Sequence, residues 1–152
     1  MPHPSNDSRT DDAIRRILAR IEQEAPEGWR RIVFSVWALA AVVQTEFAVT
    51  MADGSTPDVS PRSLEGEISA LREEMYEPDR GTWFSARFVL TAGGRPEVSF
   101  NLDEDPAWVP DVPPWVFAHD LTVFPRSEEH VPGWLRQRID EAGQDIAPDA
   151  VS

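Results

Sequence analysis

"WFSARFVLTAGGRPEVSFNLDEDPAW", residues 83–108, decides the fold. Phe84, Ala86, Phe88 and Leu90 alternate with Trp83, Ser85, Arg87 and Val89. Val98, Phe100 and Leu102 alternate with Glu97, Ser99 and Asn101. A period of two marks a strand with one buried face. The loop between them, Ala92-Gly93-Gly94, sets the register. As a three-residue loop with a glycine at positive φ, it keeps both apolar sets on one face. A two-residue Gly93-Gly94 loop would put them on opposite faces. The three-residue register predicts a hairpin in which Trp83 stands opposite Asp103, on the other face from a Phe84–Leu102 pair.

Upstream, two more strands are expected. Ile32, Phe34 and Val36 form one apolar face, and Val43, Phe47, Val49 and Met51 form another. Their junction near Ala40-Ala41 lacks turn residues, whereas Asp53-Gly54 closes the second strand in the usual way. Ile14, Ile17, Leu18 and Ile21 lie at helical spacing behind a cap at Thr10. Pro26 and Gly28 end that helix. Leu64, Ile68, Leu71 and Met75 mark a second helix, with Ser60 as cap and Pro61 at its first position. Glu65, Glu67, Glu73 and Glu74 form its solvated side. After the hairpin, "WVFAHDLTVF" at 115–124 is apolar without a clean period. Val131, Trp134, Leu135 and Ile139 predict a last helix, with Pro132 near its start and Gly143 past its end. The expected class is α+β in the order α-β-β-α-β-β-α, an antiparallel sheet with helices packed on one face. One domain spans residues 10–143, between flexible tails at 1–9 and 144–152.

Composition narrows the chemistry. The 152 residues suit one domain with a real core. Acidic residues outnumber basic ones 27 to 14, for a net charge of −13. Such a surface repels nucleic acid and anionic membrane and attracts basic proteins, although solubility alone also explains an acidic chain. Every basic residue other than histidine is arginine, so lysine-dependent chemistry is absent. There is no cysteine, which removes disulfides, thiol nucleophiles and Cys-ligated zinc. The apolar run Ala38–Val43 is too short to span a bilayer, and the expected location is cytoplasmic.

Three readings compete for the acidic segment that follows the hairpin. A calcium loop requires glycine at its sixth position, and counting from Asp103 that position is Trp108. A general acid/base pair would need a nucleophile or phosphate cradle nearby, and none is seen around His119-Asp120 or His130. The third reading is a protein-binding surface. Asp103, Glu104, Asp105 and Asp111 surround Trp108, with Trp115 following and Trp83 opposite Asp103 across the hairpin. Aromatic anchors rimmed by charge are typical of interface hot spots, and Pro106, Pro110, Pro113 and Pro114 preorganise the loop. Alternatively, Trp108 and Trp115 fold back to cap the core while the acids merely face water.

"GTWFSARFVLTAGGRPEVSFNLDEDPAW" together with "DLTVFPRSEEHVPGWL" resembles the YezG-type bacterial immunity proteins. The matching features are Gly81-Thr82-Trp83 opening a strand, the glycine turn and strand leading to Asp105-Pro106-x-Trp108, and Phe124-Pro125-Arg126 before Pro132-x-Trp134-Leu135. The N-terminal half agrees only in its order of elements. Phe, Val and Arg stand where that family has tyrosine-rich, lysine-bearing strands, as in a divergent branch. The resemblance implies a cytoplasmic protein that binds and blocks a cognate toxin, often a nuclease, without catalysis or cofactor. Carboxylates standing in for phosphates in the toxin's basic groove are one expected mode of block. Two other classes stay open: a non-catalytic adaptor in a bacterial complex, and a small carboxylate-dependent hydrolase. Whether the chain is a monomer or a strand-paired homodimer is left open by the sequence.

Overall fold

The computed structural model describes residues 4–59, 64–108 and 111–151, and the side chains within 9–59, 64–108 and 111–143. The chain runs α1 (Pro4–Glu24), β1 (Trp29–Ala38), β2 (Val43–Met51), α2 (Glu65–Glu74), β3 (Ser85–Thr91), β4 (Glu97–Asn101), α3 (Pro114–Val123), a short 3-10 turn (Glu128–His130) and α4 (Gly133–Val151). The four strands form one antiparallel sheet in the order β2-β1-β3-β4. This is the expected α+β class, with α3 added to the expected order.

The hairpin has the three-residue register. Ala86 pairs with Phe100 and Phe88 with Val98, and Gly93 takes a φ of 78° in the turn. The face made by Phe34, Val36, Ala86, Phe88 and Leu90 is fully buried. Ile17 and Ile21 of α1 and Ile68 and Leu71 of α2 pack on it. Apolar residues on a period of two meet apolar stripes on a helical period, and the main core follows from that match.

A second cluster closes the end of the sheet where β1 stops and β3 starts. Leu39, Phe84, Trp108, Val116, Phe117 and Leu135 are its buried members. Trp134 sits edge-on to both Phe84 and Phe117, at 5.3 and 5.8 Å between ring centroids.

Several local expectations are corrected. Thr10 lies inside α1, whose backbone is already helical from Pro4, where a loose tail was expected. Proline suits a first helical turn, and no glycine or second proline interrupts residues 5–24. Gly143 lies inside α4, which continues to Val151, again in place of an expected tail. A glycine costs a helix about 1 kcal/mol and does not by itself end it. The expected cap at Ser60 and Pro61 lies outside the described residues, and α2 begins at Glu65. Residues 115–123 are helical despite lacking a period. Trp115 and Val123 leave apolar groups on the exposed side of α3 as well as the buried one, which erases the pattern.

The β1–β2 turn also finds its explanation. Leu39 and Val42 exchange backbone hydrogen bonds of 2.8 and 3.3 Å around Ala40-Ala41. The Ala40 amide donates to Asp120 Oδ1 at 2.7 Å. A carboxylate from α3 thus supplies the acceptor that the turn's own residues lack. Among the described residues, no helix is long and apolar enough to cross a membrane.

Candidate functional site

The loop after β4 is held by side chains drawn from four other parts of the chain. Asn101 acts first. Its Oδ1 accepts the Glu104 amide at 2.9 Å, and its Nδ2 donates to the Glu104 carbonyl at 2.8 Å. Next, Arg126 donates to the carbonyls of Leu102, Thr82 and His130 at 2.5, 3.0 and 3.0 Å. Trp134 Nε1 donates to the Asp103 carbonyl at 2.8 Å. Trp37 Nε1, from β1, donates to the Pro106 carbonyl at 2.8 Å. The Asp105 carboxylate accepts the Ala107 amide at 3.0 Å, and Ala107 takes a φ of 54°. That left-handed turn drops Trp108 into the second cluster, where it is buried.

Arg126 is the main clamp. Its side chain is only 1% exposed and lies over the Phe84 ring at 4.6 Å. Burial holds its pKa below the ordinary arginine value, and the nearby Asp103 carboxylate pulls the other way. The guanidinium stays charged at any ordinary pH. Gly81, at φ 95°, leaves the space it fills, since a Cβ there would collide with the Arg126 side chain. A second buried guanidinium, Arg72 of α2, pairs through both terminal nitrogens with Asp120 of α3. Both side chains are 3% exposed, and Arg72 Nε also donates to the Trp83 carbonyl at 2.7 Å.

The tryptophans separate. Trp83 is 1% exposed and packs with Phe100 in the main core. Strand alternation breaks just before β3, so Phe84 turns to the second cluster and Trp83 to the first. Trp83 therefore cannot serve as a surface anchor in this fold, contrary to expectation. Trp108 caps the second cluster. Among the described residues, the buried indole nitrogens of both find no hydrogen-bond partner. Trp115, at 48% exposure, stands out on the first turn of α3.

The four carboxylates also separate. Asp103 pairs with Arg126 at 3.3 Å, and Asp111 pairs with Arg138 at 2.9 Å. Asp105 caps its own turn. All four are exposed, Glu104 among them. No group of three or more acidic or histidine side chains among the described residues is arranged to hold a metal ion.

Pro113 and Pro114 begin α3 rather than stiffening the acidic loop, and Pro110 lies outside the described residues. The residues that fix the loop, Trp37, Asn101, Arg126 and Trp134, carried no signal in the sequence beyond the Phe-Pro-Arg and Pro-x-Trp-Leu runs. Compared with known proteins, the chain matches no protein-family model and no curated protein.

Proposed function

We propose that this chain is an immunity protein that binds and neutralises a cognate protein toxin in the cytoplasm of the producing cell. The toxin is basic, and a nuclease is the class that best suits the charge. The observation that carries this reading is the acidic loop itself. Its main chain is clamped by the buried Arg126 side chain and the half-buried Trp134 and Trp37, while its carboxylates remain exposed in a chain of net charge −13. A surface already held in one shape loses little entropy on docking. Its charge steers a basic partner into contact. Trp115 supplies an apolar anchor beside it. The resemblance to YezG-type immunity proteins points the same way on separate grounds.

The test is co-expression with the product of the neighbouring gene. The reading expects that product to be toxic alone and silenced by this chain. It also expects rescue to fail when Glu104→Gln and Asp105→Asn are combined. Neither residue pairs with an arginine among the described residues, and Asn at 105 can still accept the Ala107 amide, so the fold is left alone. A non-toxic neighbour that the chain does not bind would contradict the reading.

A further inference from the structure

The face of the sheet opposite α1 and α2 is open, and its side chains are unusual for strands. Two cross-strand rows lie side by side there. Ser35, Arg87 and Ser99 form one, and Trp37, Ser85 and Asn101 form the other. Asn101 is engaged with Glu104 and donates to the Ser85 hydroxyl at 3.2 Å, whereas Ser35 and Ser99 make no side-chain hydrogen bond among the described residues. Between the rows lies a hollow of about 250 Å³, lined by these six residues together with Val36, Ala86 and Phe100.

Among the described residues, Arg87 is the only charged one lining it, in a chain with 27 acidic residues. Arg87 is exposed and makes no ion pair or hydrogen bond among the described residues. Ser35 and Ser99 flank it with hydroxyls able to donate. The nearest carboxylates in register are outside the hollow: Glu46 opposite Ser35 on β2, and Glu97 opposite Val89 one row along. The volume is below the range of roughly 300–1,000 Å³ usual for small-molecule sites. It suits a single side chain.

The hollow is continuous with the acidic loop. Trp37 lines it and holds the Pro106 carbonyl; Asn101 lines it and holds Glu104. We infer that this hollow receives an aspartate or glutamate side chain of the partner protein, with Arg87 as counter-charge and the flanking serines as further donors. The identity of that partner rests on the immunity reading above. A cation set beside an acidic loop gives the surface both signs. Opposite signs fix the orientation of a partner and discriminate against simple polycations.

The experiment has two arms. In the first, the free protein is titrated with sodium acetate, and with sodium chloride at matched ionic strength. The Trp37 indole N–H and Ser99 amide signals are followed by NMR. The expected result is a saturable shift specific to acetate, lost in Arg87→Gln and kept in Arg95→Gln. Arg95 is an exposed arginine of the hairpin loop and outside the hollow, so its substitution controls for net charge. Equal responses to the two salts, or a shift that survives Arg87→Gln, would overturn the inference. In the second arm, affinity for the neighbouring gene product is measured. Arg87→Gln is expected to weaken it at least about tenfold and Arg95→Gln to leave it unchanged. Equal affinity of Arg87→Gln and the parent would overturn the inference while leaving the immunity reading intact. An acetate response with no binding of the neighbour supports the carboxylate site and sinks the immunity reading alone.

Discussion

Under α1 and α2 the buried side chains of the first cluster are all apolar, from Ala13 and Ile17 to Phe88 and Leu90. At the end of the sheet, under α3 and α4, two buried arginine side chains lie over the rings of Phe84 and Phe124. The first cluster is specified by pattern: any sequence with the right periods and volumes would form something like it. The second is specified by polar geometry, in which each guanidinium must find particular carbonyls and one carboxylate. The exposed acidic loop is attached to the second cluster. The fold thus places its least forgiving packing directly behind its most exposed charge.

Asp120→Ala should be the most damaging way to probe this difference. It leaves the Arg72 guanidinium buried without its partner and deprives the Ala40 amide of an acceptor. Breaking a buried ion pair from one side costs about 3–5 kcal/mol. Chemical denaturation should show that loss. A double change of Arg72→Met with Asp120→Leu should recover much of it, because the cost lies in the orphaned charge. If Asp120→Ala unfolded no more easily than the parent, the polar description of this end would be wrong.

Arg126→Met comes next and should act locally. The carbonyls of Leu102, Thr82 and His130 lose their donor, at about 1–3 kcal/mol in all if water replaces it only in part. Amide hydrogen exchange should accelerate across residues 101–108 while β1 and β3 stay protected. Uniform acceleration through the whole sheet would erase the distinction between the two regions. The smallest effect belongs to the first cluster. Ile32→Val removes one methylene from a fully buried site and should cost about 0.5–1.5 kcal/mol. It should leave exchange in the acidic loop unchanged.

The same contrast explains what the sequence made legible. Alternation and loop length gave the hairpin register, and the 3.6-residue period gave the buried stripes of α1 and α2. These are local signals that survive in a single chain. The burial of Trp83 was hidden because it depends on where alternation stops, one residue before Ser85. The Ala40-Ala41 turn looked improbable because its acceptor arrives from Asp120, far along the chain. Arg72 carries no signal in the sequence that sets it apart, yet it is 2% exposed. The acids of the loop were visible as a cluster. That Asp103 and Asp111 are bound to Arg126 and Arg138, while Glu104 and Asp105 have no arginine partner among the described residues, could be read only from the folded chain.

The most direct test of the central claim is the salt dependence of affinity for the neighbouring gene product, measured for the parent and for Glu104→Gln/Asp105→Asn. A rigidly presented acidic loop predicts tight binding at low salt that weakens steeply as ionic strength rises. It also predicts a shallower slope and lower affinity for the double variant, with unchanged thermal stability. Equal affinities and equal slopes for the two proteins would show that the loop's free carboxylates do not meet the partner, and would contradict the account.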